Sequence, residues 1–124
     1  MAVSFTDREL DVMAVLWERG PSTVAEARAA LDDDLAYNTV LTVLRTLEDK
    51  GYVGHAEEGR AHRYHALVAR ETAGRSALGR MLGKLFAGSP ELLLTQLVEQ
   101  RGLAPDELAR MRALLDARLA EEDR

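Results

Sequence analysis

The residues best equipped for chemistry stand close together near the middle of the chain. Tyr37, Asn38, Thr39 and Thr42 are short or planar hydrogen-bonding groups without charge, followed by Arg45 and Thr46. Asn pairs bidentately with adenine, Thr offers a hydroxyl and a methyl, and Arg reaches guanine or a phosphate. Arranged on one face, such a set reads base edges, although any amphipathic helix also needs a polar face. Arg60, His62 and Arg63 form a second basic group suited to backbone phosphates, with Glu57 and Glu58 beside them. The plainer reading of that second group is a surface loop. Ser22 and Thr23 precede a short periodic segment and are expected to clamp a phosphate through hydroxyls and helix N–H groups.

Three histidines, His55, His62 and His65, raise the question of a metal. The chain has no cysteine and no H-E-x-x-H spacing, so no metal ligands are assigned and they read as histidines on a solvated hairpin. No Gly-rich phosphate loop and no Ser/His/Asp arrangement occurs, and Gly79 and Gly83 sit in a helical pattern where they permit close packing. The expectation is a protein that is not an enzyme and needs no cofactor.

These side chains need elements to hold them. Thr6-Asp7-Arg8-Glu9 fits a capping box, with Phe5 and Leu10 as its hydrophobic staple. Leu10, Met13, Ala14 and Trp17 recur at helical spacing until Gly20-Pro21. Thr23-Val24-Ala25-Glu26 is a second capping box, opening a helix to about Leu31, and Asp32-Asp33-Asp34 makes a polar turn. A third helix spans roughly Ala36 to Lys50, with Val40, Val43, Leu44 and Leu47 as its apolar stripe and Gly51 as its stop. Its opposite face carries Asn38, Thr42, Arg45 and Asp49, with Thr39 and Thr46 flanking. The period then changes: Tyr52 to Ala56 and Ala61 to Leu67 read as short strands joined by Glu57-Glu58-Gly59-Arg60. Three capped helices and a small hairpin within residues 1–67 predict a winged helix-turn-helix domain, mainly α with a small β-hairpin.

Residues 68–124 read as helical. Leu78, Met81, Leu82 and Leu85, with Phe86, lie along one segment, and Ser89-Pro90 restarts a helix bearing Leu93 and Leu97 that Gly102 ends. Pro105 opens a last helix with Leu108, Met111 and Leu115 on one face and Leu103 and Leu108 as a staple. These stripes have too little chain to bury against, so the region is expected to be a dimerisation arm covered by a second copy.

Composition limits the class further. The net charge is −5, against nonspecific nucleic-acid binding. Yet residues 37–90 carry 8 basic and 5 acidic side chains, so the middle is net positive. All but Lys50 and Lys84 of the basic residues are Arg, which suits phosphate and guanine but also follows from a GC-rich genome. The longest apolar runs are too short to span a bilayer, and early charges exclude a signal peptide. No membrane insertion and a cytoplasmic location are expected.

Four stretches carry a resemblance. They are Leu10 to Trp17 (LDVMAVLW), Ala36 to Leu47 (AYNTVLTVLRTL), Gly59 to Tyr64 (GRAHRY) and Leu85 to Leu97 (LFAGSPELLLTQL). Through them the chain resembles the penicillinase repressor family of winged-helix transcriptional repressors over nearly its full length. The resemblance implies a homodimer that binds a double-stranded DNA operator, an inverted repeat of the TACA…TGTA type, upstream of genes it silences. It also implies release through a membrane metalloprotease sensor whose activation leads to repressor cleavage. Copper-responsive members carry a C-terminal cysteine cluster that this chain lacks. Staphylococcal-type members are cut at an Asn-Phe bond, and the matching position here is Gln96-Leu97. Two other readings stand beside this one: a winged-helix module for protein–protein contact, and a metal-responsive regulator.

Overall fold

The structure, a computed structural model, describes residues 3–100 and 102–123, apart from the side chain of residue 100. The chain divides into two compact units, Met1–Arg80 and Met81–Arg124.

In the first unit, helix α1 (Asp7–Arg19) opens on a complete capping box. The Thr6 hydroxyl accepts from the Glu9 amide at 3.1 Å, and the Glu9 carboxylate accepts from the Thr6 amide at 2.8 Å. Strand β1 (Ser22–Thr23) leads directly into α2 (Val24–Ala30), whose box repeats the device with Thr23 and Glu26. Helix α3 (Tyr37–Asp49) follows the acidic turn. Gly51 then takes φ +83°, a left-handed conformation that favours glycine, and the chain enters β2 (Val53–Glu58) and β3 (Ala61–Ala66). The sheet is antiparallel with order β1-β3-β2, so the expected hairpin gains a third strand. Two residues are too short to show an alternating pattern. This is a winged helix fold, mainly helical with a small sheet, as the sequence predicts.

The core lies between the three helices and the inner face of the sheet. Val12, Met13, Val40, Leu44, Leu47, Val53 and Tyr64 are all buried to within 1%. The α3 stripe is as read, with Val43 half-buried at its margin. The α1 stripe is turned by one residue from its expected position. Glu9, Val12, Met13 and Leu16 face inward, while Leu10 is 38% exposed and Ala14 and Trp17 are half-buried. A carboxylate therefore occupies an inward position that an apolar pattern cannot reveal. It is satisfied there by the Thr6 amide and by the Lys50 ammonium at 2.8 Å.

The first unit continues beyond residue 67, where the sequence suggests a boundary, into α4 (Arg70–Leu85). Trp17 Nε1 donates to the Val68 carbonyl at 2.8 Å, and the Arg70 guanidinium lies 5.7 Å from the Trp17 ring centre. Ala73 is buried, and Ser76 exchanges two hydrogen bonds with the Val3 backbone while Arg80 donates to the Val3 carbonyl. These contacts bind the first half of α4 to the winged fold.

The second unit holds the end of α4, α5 (Pro90–Gln100) and α6 (Pro105–Glu122). The Ser89 hydroxyl accepts from the Leu92 amide, which makes Ser89 the N-cap of α5 that its sequence suggests. The helix ends before Gly102, with the intervening residue outside the described residues. Leu94, Val98, Leu108, Met111, Leu114 and Leu115 line an open groove of about 340 Å³. Among the described residues of α5 and α6 no side chain is fully buried. Of the residues expected to support dimerisation, Leu78, Met81, Leu85, Leu97, Leu108 and Leu115 are exposed, and Leu82, Phe86, Leu93 and Met111 are half-buried. No helix among the described residues is long and apolar enough to cross a membrane.

Candidate nucleic-acid interface

Helix α3 presents every polar residue singled out from its sequence. Asn38, Thr39, Thr42, Arg45 and Thr46 are exposed on or beside the face opposite Val40, Leu44 and Leu47, whereas Tyr37 lies on the apolar side and is exposed at the first turn. Its first turn differs from those of α1 and α2. Ala36 at the N-cap supplies no side-chain acceptor and the turn contains no acidic residue. The positive end of the helix dipole and its first amides thus face outward without an internal anion.

The threonines are more constrained than their exposure suggests. Thr42 Oγ1 donates to the Asn38 carbonyl at 2.8 Å, and Thr46 Oγ1 donates to the Thr42 carbonyl at 2.9 Å. Each hydroxyl has given its hydrogen to the helix, leaving an acceptor lone pair and a methyl for a ligand. Such a pair suits an amino group on a base edge or a thymine methyl.

The hairpin turns through Gly59 and Arg60. Gly59 at the first central position takes φ +62°, the arrangement of a primed two-residue turn. Arg60 is exposed at the tip. Register puts His55, Glu57, His62 and Tyr64 on the face that continues into the core, and Gly54, Ala56, Glu58, Arg63 and His65 on the other. The three histidines therefore do not share one face: His65 lies opposite the other two. His55 and His62 stack with ring centres 4.2 Å apart and 7° between planes, while His65 packs beside Gly54 across the sheet. No three metal-ligating side chains group together among the described residues. His55 Nδ1 is bonded to the Glu48 carboxylate, which ties β2 to the end of α3. Tyr64 lies beneath the stack, and burial, with the nearby Glu48 charge, pushes its hydroxyl above the usual tyrosine range.

Two predicted phosphate contacts have other partners. Arg63 donates to Glu58, to Glu26 at 2.8 Å and to the Pro21 carbonyl at 3.2 Å. The carboxylates of Glu58 and Glu26 raise its already high pKa, and the same ion pairs hold both carboxyls below their usual range, the Glu26 carboxyl being lowered first by the Thr23 amide. Ser22 is buried and its hydroxyl donates to the Gly20 carbonyl. Thr23 is half-buried, its hydroxyl and amide both engaged with Glu26 in the capping box. The start of α2 therefore carries a carboxylate where a phosphate was expected. Two of the three partners of Arg63, Glu26 and Pro21, lie 37 and 42 positions away, beyond any local spacing signal, whereas those of Ser22 and Thr23 are local. What remains outward is the polar half of α3 with Arg45, and the Arg60 tip with His62 beside it.

A family model described as penicillinase repressor matches residues 5–117. The chain is 38% identical over 119 residues to the transcriptional regulator BlaI of Mycobacterium tuberculosis, covering 90% of this chain and 84% of that protein. It is 22% identical over 111 residues to the methicillin resistance regulatory protein MecI of Staphylococcus aureus, covering 87% and 89% respectively. Among solved structures it is similar to a MarR family protein from Bacillus stearothermophilus, with a TM-score of 0.53, 19% identity, and 98% and 78% of the two chains covered. A mutant MarR from E. coli gives a TM-score of 0.51 at 18% identity, covering 94% and 79%. The likeness to these two structures is one of fold.

Proposed function

The chain belongs to the penicillinase repressor family, and on that footing we propose that it is a non-enzymatic transcriptional repressor binding an inverted-repeat DNA operator of the TACA…TGTA type as a homodimer. The observation that carries this reading is the outer face of α3, an uncapped and uncharged first turn followed by back-bonded threonines and Arg45. Asn38, Thr39, Thr42 and Arg45 enter the major groove, with Tyr37 and Thr46 at the margins. Arg60 and His62 approach the flanking phosphates. The apolar stripes of α4, α5 and α6 are covered by a second copy, which places two recognition helices on two half-sites.

The test is a salt-titrated binding measurement on the DNA upstream of the coding region, compared with the same DNA scrambled. Specific binding that survives where scrambled DNA is released supports the reading, and equal affinity for both sinks it.

Release follows from cutting the arm. Two half-sites held by one dimer gain about 100-fold or more in affinity through effective concentration, and separating the subunits forfeits that gain. Gln96 and Leu97, exposed in α5, mark the proposed cleavage segment, and a membrane metalloprotease sensor is the proposed trigger. An intact 13.7 kDa band throughout derepression would exclude proteolysis as the signal.

A further inference from the structure

The tip of the hairpin is a two-stranded ribbon, held on one face by the His55–His62 stack and the His55–Glu48 bond, and on the other by Arg63. Strand β1 pairs with β3 only at Ser22↔Tyr64 and Thr23↔Arg63, so Ala61 and His62 have β2 alone for a neighbour. An isolated two-stranded ribbon is marginal in water and swings about its base. Arg63 stands where the third strand stops. From there its guanidinium donates through Nε and Nη2 to both oxygens of Glu58, beside the turn, and through Nη1 to Glu26 and to the Pro21 carbonyl. Four of the five N–H groups of an arginine are thereby engaged with three separate segments. These are the end of β2, the first turn of α2 and the loop before β1.

Resting on the DNA-binding reading above, we propose that Arg63 is a positioning residue, which locks the hairpin tip to the start of α2 so that Arg60 meets a phosphate. The fork shape is required, since a planar guanidinium spreads its donors over three nitrogens to reach two carboxylates and a carbonyl, whereas an ammonium has its three donors on a single atom. Fold stability is not what the network supplies. Its side chains are 30% exposed at Arg63, 54% at Glu26 and 59% at Glu58, and ion pairs so exposed contribute little to folding. Their effect is geometric: they restrict the angle of the tip. They also account for the two acidic residues at a surface meant for DNA, because Glu58 and Glu26 hold an arginine in place.

The experiment is a set of salt-dependence slopes for operator binding by the full chain, in wild type, Arg60→Ala, Arg63→Ala and the double variant. Each phosphate contact adds about 0.9 to the slope of log K against log salt. On a dimer each substitution removes two contacts, one per half-site, so if Arg63 acts through Arg60 each single variant loses about 1.8 and the double variant also loses about 1.8. Two independent phosphate contacts in each subunit give a loss of about 3.6 in the double variant and overturn the proposal. A wild-type slope and affinity for Arg63→Ala overturn it as well. Arg63→Lys should fail to restore the affinity, and full rescue by lysine would argue for a simple charge. Combining Glu26→Gln with Glu58→Gln supplies the opposed-sign check. Removing negative charge beside DNA tightens binding if Arg63 touches phosphate, and weakens it if the carboxylates hold the tip. Equal melting temperatures for all variants are expected. A wild-type chain without salt-dependent operator binding would overturn the DNA-binding reading itself, an outcome distinct from additivity of the two arginines.

Discussion

Lys50, just after α3, and Glu9, in the first turn of α1, form an ion pair of 2.8 Å across 41 positions of sequence. The two ends are unequal: the carboxylate side chain is 6% exposed and the ammonium 37%. Glu9 also closes the α1 capping box, so one carboxylate serves both the helix start and the packing of α3 against α1. Lys50→Met should leave the inward carboxylate with only its Thr6 partners. The expected loss is about 1–2 kcal/mol, reduced from a fully buried pair by solvent at the lysine end. Denaturant midpoints of the two proteins measure it, and equal midpoints would make the pair ornamental.

Acid should weaken the fold through the same residue. Burial pushes the Glu9 carboxyl up, but Lys50 and Thr6 together pull harder, so its pKa in the folded chain lies below 4.5. A carboxyl whose folded pKa is depressed stabilises the protein above its unfolded value, and that contribution disappears as pH falls through the folded value. Stability should therefore decline below about pH 4.5. Glu9→Gln should show a shallower acid decline from a lower plateau at neutral pH. A parallel decline in wild type and variant would remove Glu9 from the account.

Arg45 and Arg60 should fail in different ways. Arg45→Ala, on the outer face of α3, is expected to cost about 1–3 kcal/mol on the operator and to relax preference at one base pair. Arg60→Ala should weaken operator and random DNA alike and flatten the salt dependence. Competition binding against single-base operator variants separates them. Equal losses on every sequence for both would leave Arg45 a backbone contact only.

Truncations should distinguish α4 from the rest of the arm. A chain ending at residue 80 keeps Val68, Ala73, Ser76 and Arg80 against α1 and Val3, whereas one ending at 67 exposes Trp17 and loses all four. The shorter chain should melt lower, by about 4–8 °C for each kcal/mol lost in a domain this size. Both should bind operator more weakly than the full chain. Identical melting temperatures would show that α4 lends nothing to the winged unit.

Much of this fold is legible from local signals. The capping boxes at Thr6 and Thr23, the α3 stripe and Gly51 are short-range devices, and each is found where its spacing predicts. What escapes the sequence depends on distant partners. The α1 face is turned toward Glu9 because Lys50 is there to receive it. Strand β1 is too brief to alternate. At the candidate site, exposure of the α3 residues follows from periodicity alone. The engagement of Arg63 with Glu26 and Pro21 does not, because a basic side chain looks equally free until its tertiary partners are known. The capping box of Thr23, by contrast, already marks that hydroxyl as engaged.

The bare start of α3 has a consequence in time as well as in shape. The boxes on α1 and α2 pin their first turns locally, so those turns persist whenever the unit is folded. The first turn of α3 lacks that pin, and its opening requires only a local excursion rather than loss of the core. The amides of Tyr37 and Asn38 should exchange with solvent far faster than those of Leu44 and Leu47, and slow sharply once DNA is bound. The first turn of α3 is thus expected to be held more loosely than those of α1 and α2, and on the proposed reading DNA would complete its order.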